Sequence, residues 1–386
     1  MRVGKARPAS RLLPLAERHV DDGRVAFTSD AAAPRVVFGI GVLDALPDEV
    51  DRLGAVRVLL LCTPGRRQAR ERVAALLAGR LAGVFDRAQA QVPSERVDEA
   101  QALATSVRAD LCVTLGGGSA TGLGKAVARA GGPPVLAIPT TYAGSEMTPV
   151  WGISARGEKT TGRDPRVLPR TVLYDPALTI DMPGAVSGAS GMNAVAHCVE
   201  ALYAPDANPV SGLMAEEGIR VLGRSLPAVV RDPAGLDART MALLGAWLAG
   251  GALGATTMGL HHRLCHLLGG TFGLPHAETH SVILPHAAAY NAPAAPLAMR
   301  RVARALGGSN VPGLLFDLAG SLAIPRSLRE LGMREADLDR AASQSVANPY
   351  PNPRPVTVDG VRALLDDAFH GRRPASTPST TGEPAR

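Results

Sequence analysis

The chain has 386 residues, 46% of them hydrophobic and 20% charged, with a formal net charge of +6. This length exceeds the usual single-domain size, so two domains are expected. The basic residues are scattered, with no Lys/Arg run interleaved with aromatics, which argues against a nucleic-acid surface. No run approaches the ~18 apolar residues of a membrane span. The N-terminus lacks the apolar stretch of a signal peptide, so a soluble, cytoplasmic protein without a membrane partner is expected.

Aromatics make up only 3%, so the core must be built from Ala, Val and Leu. The four cysteines (Cys62, Cys112, Cys198, Cys265) are widely separated in apolar surroundings and read as small core residues of a reducing compartment. Only three lysines (Lys5, Lys125, Lys159) stand against 38 arginines, which singles out Lys125 and Lys159.

Residues 1–22 and 374–386 are polar and proline-rich and read as disordered extensions. From Arg35, strand and helix patterns alternate. "RVVFGIG" is a short strand, and "VRVLLLCTPG" is a buried strand and turn. "RRQARERVAALLAGRL" (66–81) is a helix, and "DLCVTLGGGS" is a strand running into glycines. "ATGLGKAVARA" is a helix and "PPVLAIPTT" a further strand. Continuous apolar strands separated by helices predict a parallel, doubly wound sheet. After "VLYDPALTIDMP" the pattern turns helical in "SGMNAVAHCVEALYA", "SGLMAEEGIRVLGRSL" and "ARTMALLGAWLAGGALG". The expected division is an α/β nucleotide-binding domain over 23–183 and an all-helical domain over 184–373.

Chemistry concentrates in three places. In "TLGGGSATGLGK", Gly116, Gly117 and Gly118 permit close backbone approach, and Ser119 is read as a helix cap able to bond phosphate. A tight turn between strand and helix explains GGGS too, but its place after a buried strand favours dinucleotide phosphate. "IPTTYAGSEMT" adds the hydroxyls of Thr140, Thr141 and Ser145 at the carboxyl edge of the sheet, with Thr63 ending an earlier strand. The third place is "HHRLCHLLGGTFGLPHAETH" (261–280), which holds five of the nine histidines. His262 and His266 are i and i+4 on a helix, "GGTFGLP" is expected to break it, and His276 returns on the loop. Asn193 and His197 share a helix face in the same way. Separate core histidines are the bland alternative. Had residue 193 been Asp, His197, His262 and His276 would complete a plausible metal site; it is Asn, a poor ligand with no charge.

The order GGGS, PTT-x-x-GSE, SGM-x-A-x-x-H, H-x-x-x-H and PH-x-E resembles the iron-containing alcohol dehydrogenase family, relatives of glycerol dehydrogenase and dehydroquinate synthase. The likeness runs from about Arg35 to about Arg373. The phrases "PTTYAGSEMTPVWGI", "KTTGRDPRVLPRTVLYDPALT", "HHRLCHLLGGTFGLPHAETHSVILPHAAAYNAPA" and "NPYPNPRPV" are most similar to its maleylacetate-reducing branch.

The resemblance implies a dehydroquinate synthase-like fold, with a Rossmann-like domain, an all-α domain and the site between them. It implies NADH or NADPH as cofactor, reduction of maleylacetate to 3-oxoadipate, no metal, and a homodimer. His266 would lie at the reacting centre with His197, His262 and His276 around it. Asn193 stands where metal-dependent members carry Asp, and Gly122 where many carry the Asp of GGGSxxD. A dicarboxylate substrate needs cations, for which Lys159 and Arg163 are candidates, although "EKTTGRD" also reads as a solvated hairpin. Tyr142 is a further candidate for substrate contact. Arg66 and Arg67 could accept a 2′-phosphate. The alternatives are a metal-dependent alcohol or polyol dehydrogenase of this fold and a non-catalytic dinucleotide-binding protein.

Overall fold

Short leucine- and valine-rich runs form the strands β1 (Arg35–Phe38), β2 (Val58–Cys62), β3 (Leu81–Phe85), β4 (Leu111–Gly116) and β5 (Val135–Pro139). β6 (Val150–Ala155) and β7 (Glu158–Arg163) make a separate antiparallel hairpin, and β8 (Thr171–Tyr174) returns to the main sheet. That sheet is six-stranded and parallel, in the order β1-β8-β5-β4-β2-β3. β2, β4, β5 and β8 are buried at every residue, as expected for strands covered on both faces. The covering helices are α1 (Leu46–Arg52), α2 (Arg67–Leu77), α3 (Ser94–Ser106) and α4 (Gly118–Arg129). The computed structural model describes residues 27, 33–155 and 158–375. The 1–22 segment and nearly all of the 374–386 tail lie outside the described residues.

The helix expected over 66–81 ends at Leu77, and Leu81 already belongs to β3. β3 lies at the sheet edge and is largely half-buried, so its apolar run is too weak to announce a strand.

The remaining elements are helical: α5 (Gly184–Tyr203), α6 (Pro209–Arg231), α7 (Leu236–Ala255), α8 (Leu260–Phe272), α9 (His276–Asn291), α10 (Pro296–Leu306), α11 (Val311–Gly320), α12 (Leu338–Ser345) and α13 (Val358–His370). α5 is buried along nearly its whole length and forms the centre of this half. Small residues substitute for large aromatics by letting helices approach. A Cβ on Gly191 of α5 would lie 2.2 Å from Leu226 of α6. Such overpacking costs about 1–3 kcal/mol. Among the described residues no single helix is long and apolar enough to cross a membrane.

Two local corrections shape the site. The glycine pair Gly269–Gly270 does not break α8, which runs on to Phe272 and stops where Gly273 turns left-handed at φ 71°. His276 is not on a loop but opens α9, so His276 and His280 are themselves i and i+4 on one helix. The phrase "NPYPNPRPV" fastens this region: Asn352 exchanges side-chain hydrogen bonds with Asn291 at 2.8 and 3.0 Å, and Tyr290 donates to the Pro355 carbonyl at 2.7 Å.

Candidate active site

A cleft of about 570 Å³ separates the glycine loop from the histidine helices. On the sheet side, β4 ends at Gly116 with φ 150°, and Gly117 is the N-cap of α4. Ser119 is not the cap, contrary to the sequence reading; it sits inside the first turn, and α4 has no side-chain cap. Its first N–H groups are therefore left to a ligand or solvent. Gly117 packs on Thr141 so closely that a Cβ would lie 2.7 Å from Thr141 Oγ1. Gly118, Ser119, Thr141 and Ser145 line the cleft. Thr63 lies beside Gly116, 3.3 Å from where a Cβ would stand, and Thr140 is buried beneath with an unpartnered hydroxyl.

Lys125, on α4, is fully buried and fixes the next loop. Its ammonium donates to Thr148 Oγ1 (3.0 Å), the Val150 carbonyl (2.9 Å), and both the carbonyl and hydroxyl of Ser145. Burial pulls this amine down to about 7. The loop then crosses to the helical half at Gly144, whose φ of 75° and missing side chain let it approach Gly250 of α7. A Cβ on Gly144 would stand 3.0 Å from the Gly250 Cα and 3.5 Å from His197 Nδ1.

On the helical side, α5, α8 and α9 bring together Asn193, His197, His262, His266, His276 and His280, all on the cleft wall. The His197 and His262 rings stack with centroids 5.0 Å apart, and His276 and His280 meet edge-on at 4.5 Å. Behind them His261 Nε2 and His280 Nδ1 are hydrogen-bonded at 2.9 Å.

Sequence reading missed the group that organises this wall, Glu200. It is fully buried and accepts from the backbone N–H groups of Gly259, His261 and His262 at 2.9–3.3 Å. It thus serves as an acidic cap, supplied by α5, for an α8 terminus that has none of its own. The same carboxylate accepts from His262 Nδ1 at 2.6 Å, while His262 Nε2 is buried at the cleft wall with no hydrogen-bond partner among the described residues. Glu200 lies at i+7 from Asn193 and i+3 from His197, on the same face of α5, so an acid on a largely apolar helix was the available signal.

Burial holds the His197, His261 and His280 imidazoles well below the usual histidine range, and neighbouring histidine charge pushes the same way. His266 and His276 keep more surface open to the cleft, yet burial first, and then neighbouring positive charge, lowers them as well, His276 to about 4.

The β6–β7 hairpin is not merely solvated. Lys159 and Arg163 both line the cleft, and among the described residues neither forms an ion pair. Lys159 Nζ donates to Gln91 Oε1 at 3.0 Å, and Arg163 to the Gly254 carbonyl at 2.5 Å. Tyr142 is turned away from the cleft. Its ring is fully buried in the helical core, and its hydroxyl faces the buried Arg239 at 3.4 Å.

The positions that hold iron elsewhere in the family fit it poorly here. Asn193 Oδ1, His197 Nδ1 and His262 Nε2 are buried without partners among the described residues, so the wall suits a polar guest. Yet Asn193, His197, His262 and His276 supply four neutral donors and no carboxylate to offset a dication. At Gly122, where the pattern carries Asp, a Cβ would lie 2.8 Å from Val92 Cγ2, so a side chain there would require Val92 to shift.

Comparison with known proteins agrees with this architecture. Residues 33–176 match the iron-containing alcohol dehydrogenase family, and residues 187–369 match its C-terminal domain. A maleylacetate reductase of Burkholderia cepacia is 55% identical over 350 residues, which are 91% of this chain and 99% of that protein. The crystal structure of maleylacetate reductase from Rhizobium sp. strain MTP-10005 superposes with a TM-score of 0.87 at 47% identity, covering 90% of this chain and 99% of that one. That of 1,3-propanediol oxidoreductase gives 0.84 at 28% identity, over 89% of this chain and all of that one. The chain belongs to the iron-containing alcohol dehydrogenase family of NAD(P)-dependent oxidoreductases.

Proposed function

We propose that the chain reduces the conjugated carbon–carbon double bond of maleylacetate to give 3-oxoadipate, with NADH or NADPH as electron donor and no metal ion. The observation that carries this reading is one cleft that opposes an uncapped glycine-loop helix and a histidine cluster, with Lys159 and Arg163, neither in an ion pair among the described residues, between them. Maleylacetate reductases that are 47–55% identical over about nine-tenths of the chain support it.

The first turn of α4, with the Ser119 and Thr141 hydroxyls, would hold the pyrophosphate of a nicotinamide dinucleotide, which when bound would supply the hydride for the carbon β to the substrate ketone. Lys159 and Arg163 take the two substrate carboxylates. Negative charge then develops on the ketone oxygen, and imidazole N–H groups of the cleft stabilise it. A proton must reach the carbon next to the ketone. His262 is the histidine equipped to hold it, because Glu200 compensates an imidazolium there. His197, neutral by burial, serves as a hydrogen-bonding wall, and His266 and His276 reach the substrate from the open side.

Tolerance of NADPH follows from the turn after β2. Arg67 is engaged by Glu71 at 2.8 Å, whereas Arg66 meets only the Leu178 carbonyl, at 3.5 Å, among the described residues. Arg66 is thus available to a 2′-phosphate. Purified protein is expected to oxidise NADH or NADPH when given maleylacetate, with little turnover of simple alcohols plus NAD. Rapid alcohol oxidation without maleylacetate turnover would overturn the assignment.

A further inference from the structure

Gln91 and Val92 both hold left-handed backbone conformations, with φ of 63° and 52°. For a β-branched valine this is a true outlier, kept only where surrounding contacts enforce it. Those contacts are present. Ser154 of the hairpin donates its N–H to the Val92 carbonyl at 3.0 Å, and Pro93 bridges to Ser154. The Val92 side chain closes on α4 at Gly122, into the space a Cβ would fill. The departure from the family pattern at Gly122 and the strained valine therefore explain one another.

The result of this conformation is the placement of Gln91. Its side chain lies on the cleft wall, accepts from Lys159 Nζ at 3.0 Å, and reaches across toward Gly269 of α8. Lys159 is half-buried and lines the same cleft as His266 and His276. An amide oxygen can orient an ammonium without neutralising it, and leaves two of its three N–H donors free. A carboxylate in the same place would pair with it and cancel its charge.

We infer that Gln91 is a positioning residue that sets specificity for anionic substrates: it aims the Lys159 ammonium into the cleft and leaves its charge free for a substrate carboxylate. This rests on the dicarboxylate reading of the site. Gln91→Glu keeps the size and adds the cancelling charge. It is expected to raise KM for maleylacetate about 10–100-fold, the worth of a charged hydrogen bond, with kcat within about 3-fold and NADH affinity unchanged. Gln91→Leu keeps the charge but loses the aim, and is expected to raise KM by less, about 3–10-fold. Adipate, a saturated dicarboxylate, provides a readout without turnover when titrated calorimetrically into the NADH-bound protein. Its affinity is expected to fall in Gln91→Glu by the same factor as KM rises, with thermal unfolding confirming that both variants fold. If the parent protein reduces maleylacetate while Gln91→Glu changes neither KM nor adipate affinity, the role of Gln91 is overturned and the reaction stands. If the parent does not reduce maleylacetate, the reaction falls, and adipate alone decides Gln91: weaker binding to Gln91→Glu supports the role, and unchanged or absent binding overturns it.

Discussion

His262→Ala is expected to lower kcat with maleylacetate by about 10²–10⁴-fold, the span usually lost with a proton donor or an oxyanion contact. NADH affinity should change little, because the cofactor loop lies on the opposite wall. The expectation comes from the hydrogen bonding around Glu200. That carboxylate fixes the His262 ring through Nδ1, leaves the buried Nε2 without a partner among the described residues, and would offset the charge of a proton taken up there. Glu200→Gln keeps an oxygen for the backbone N–H groups but removes the charge, so it should reproduce part of the loss without unfolding α8. The resemblance pointed first to His266, which faces the cleft without a carboxylate behind it. Single-turnover NADH oxidation by His262→Ala and His266→Ala, compared side by side, separates these assignments. An unchanged rate in folded His262→Ala would place the proton donor elsewhere.

Gly117→Asp is expected to weaken NADH binding by about 100-fold or more, equivalent to about 2.7 kcal/mol. The new Cβ would press on Thr141, 2.7 Å from its hydroxyl, and the carboxylate would take the uncapped α4 terminus needed by the pyrophosphate. Aspartate is a favourable N-cap, so the helix itself should tolerate or welcome it. That separates a binding defect from a folding one. Calorimetric titration with NADH measures it, and an unchanged dissociation constant would mean that the glycine loop is only a turn.

The parallel sheet and the helical half were readable because buried strands and amphipathic helices leave plain periodicities. β3 was not, since an edge strand with Gly83 and half-exposed residues carries little apolar signal. The histidine cluster was legible as a cluster, because i, i+4 spacing within α5 and α8 forces side chains together. The carboxylate behind it was not. Nothing in sequence spacing links Glu200 to His262, 62 residues away, and only the packing of α5 against the start of α8 joins them. Tyr142 misled for a related reason: a hydroxyl-rich loop shows which residues are near a site, not which way each side chain turns. Lys125 stood out by the scarcity of lysine, but its task of tying down the Ser145–Val150 loop appears only in three dimensions.

The proposal of a metal-free site rests on Asn193, and metal dependence tests it most directly. The measurement is steady-state NADH oxidation with maleylacetate before and after exhaustive chelation, with metal content determined in parallel. Four neutral donors at Asn193, His197, His262 and His276 predict full activity in metal-free protein, and tighter metal binding only once Asn193→Asp restores a carboxylate. Loss of turnover on chelation, recovered by added iron or zinc, would contradict the account.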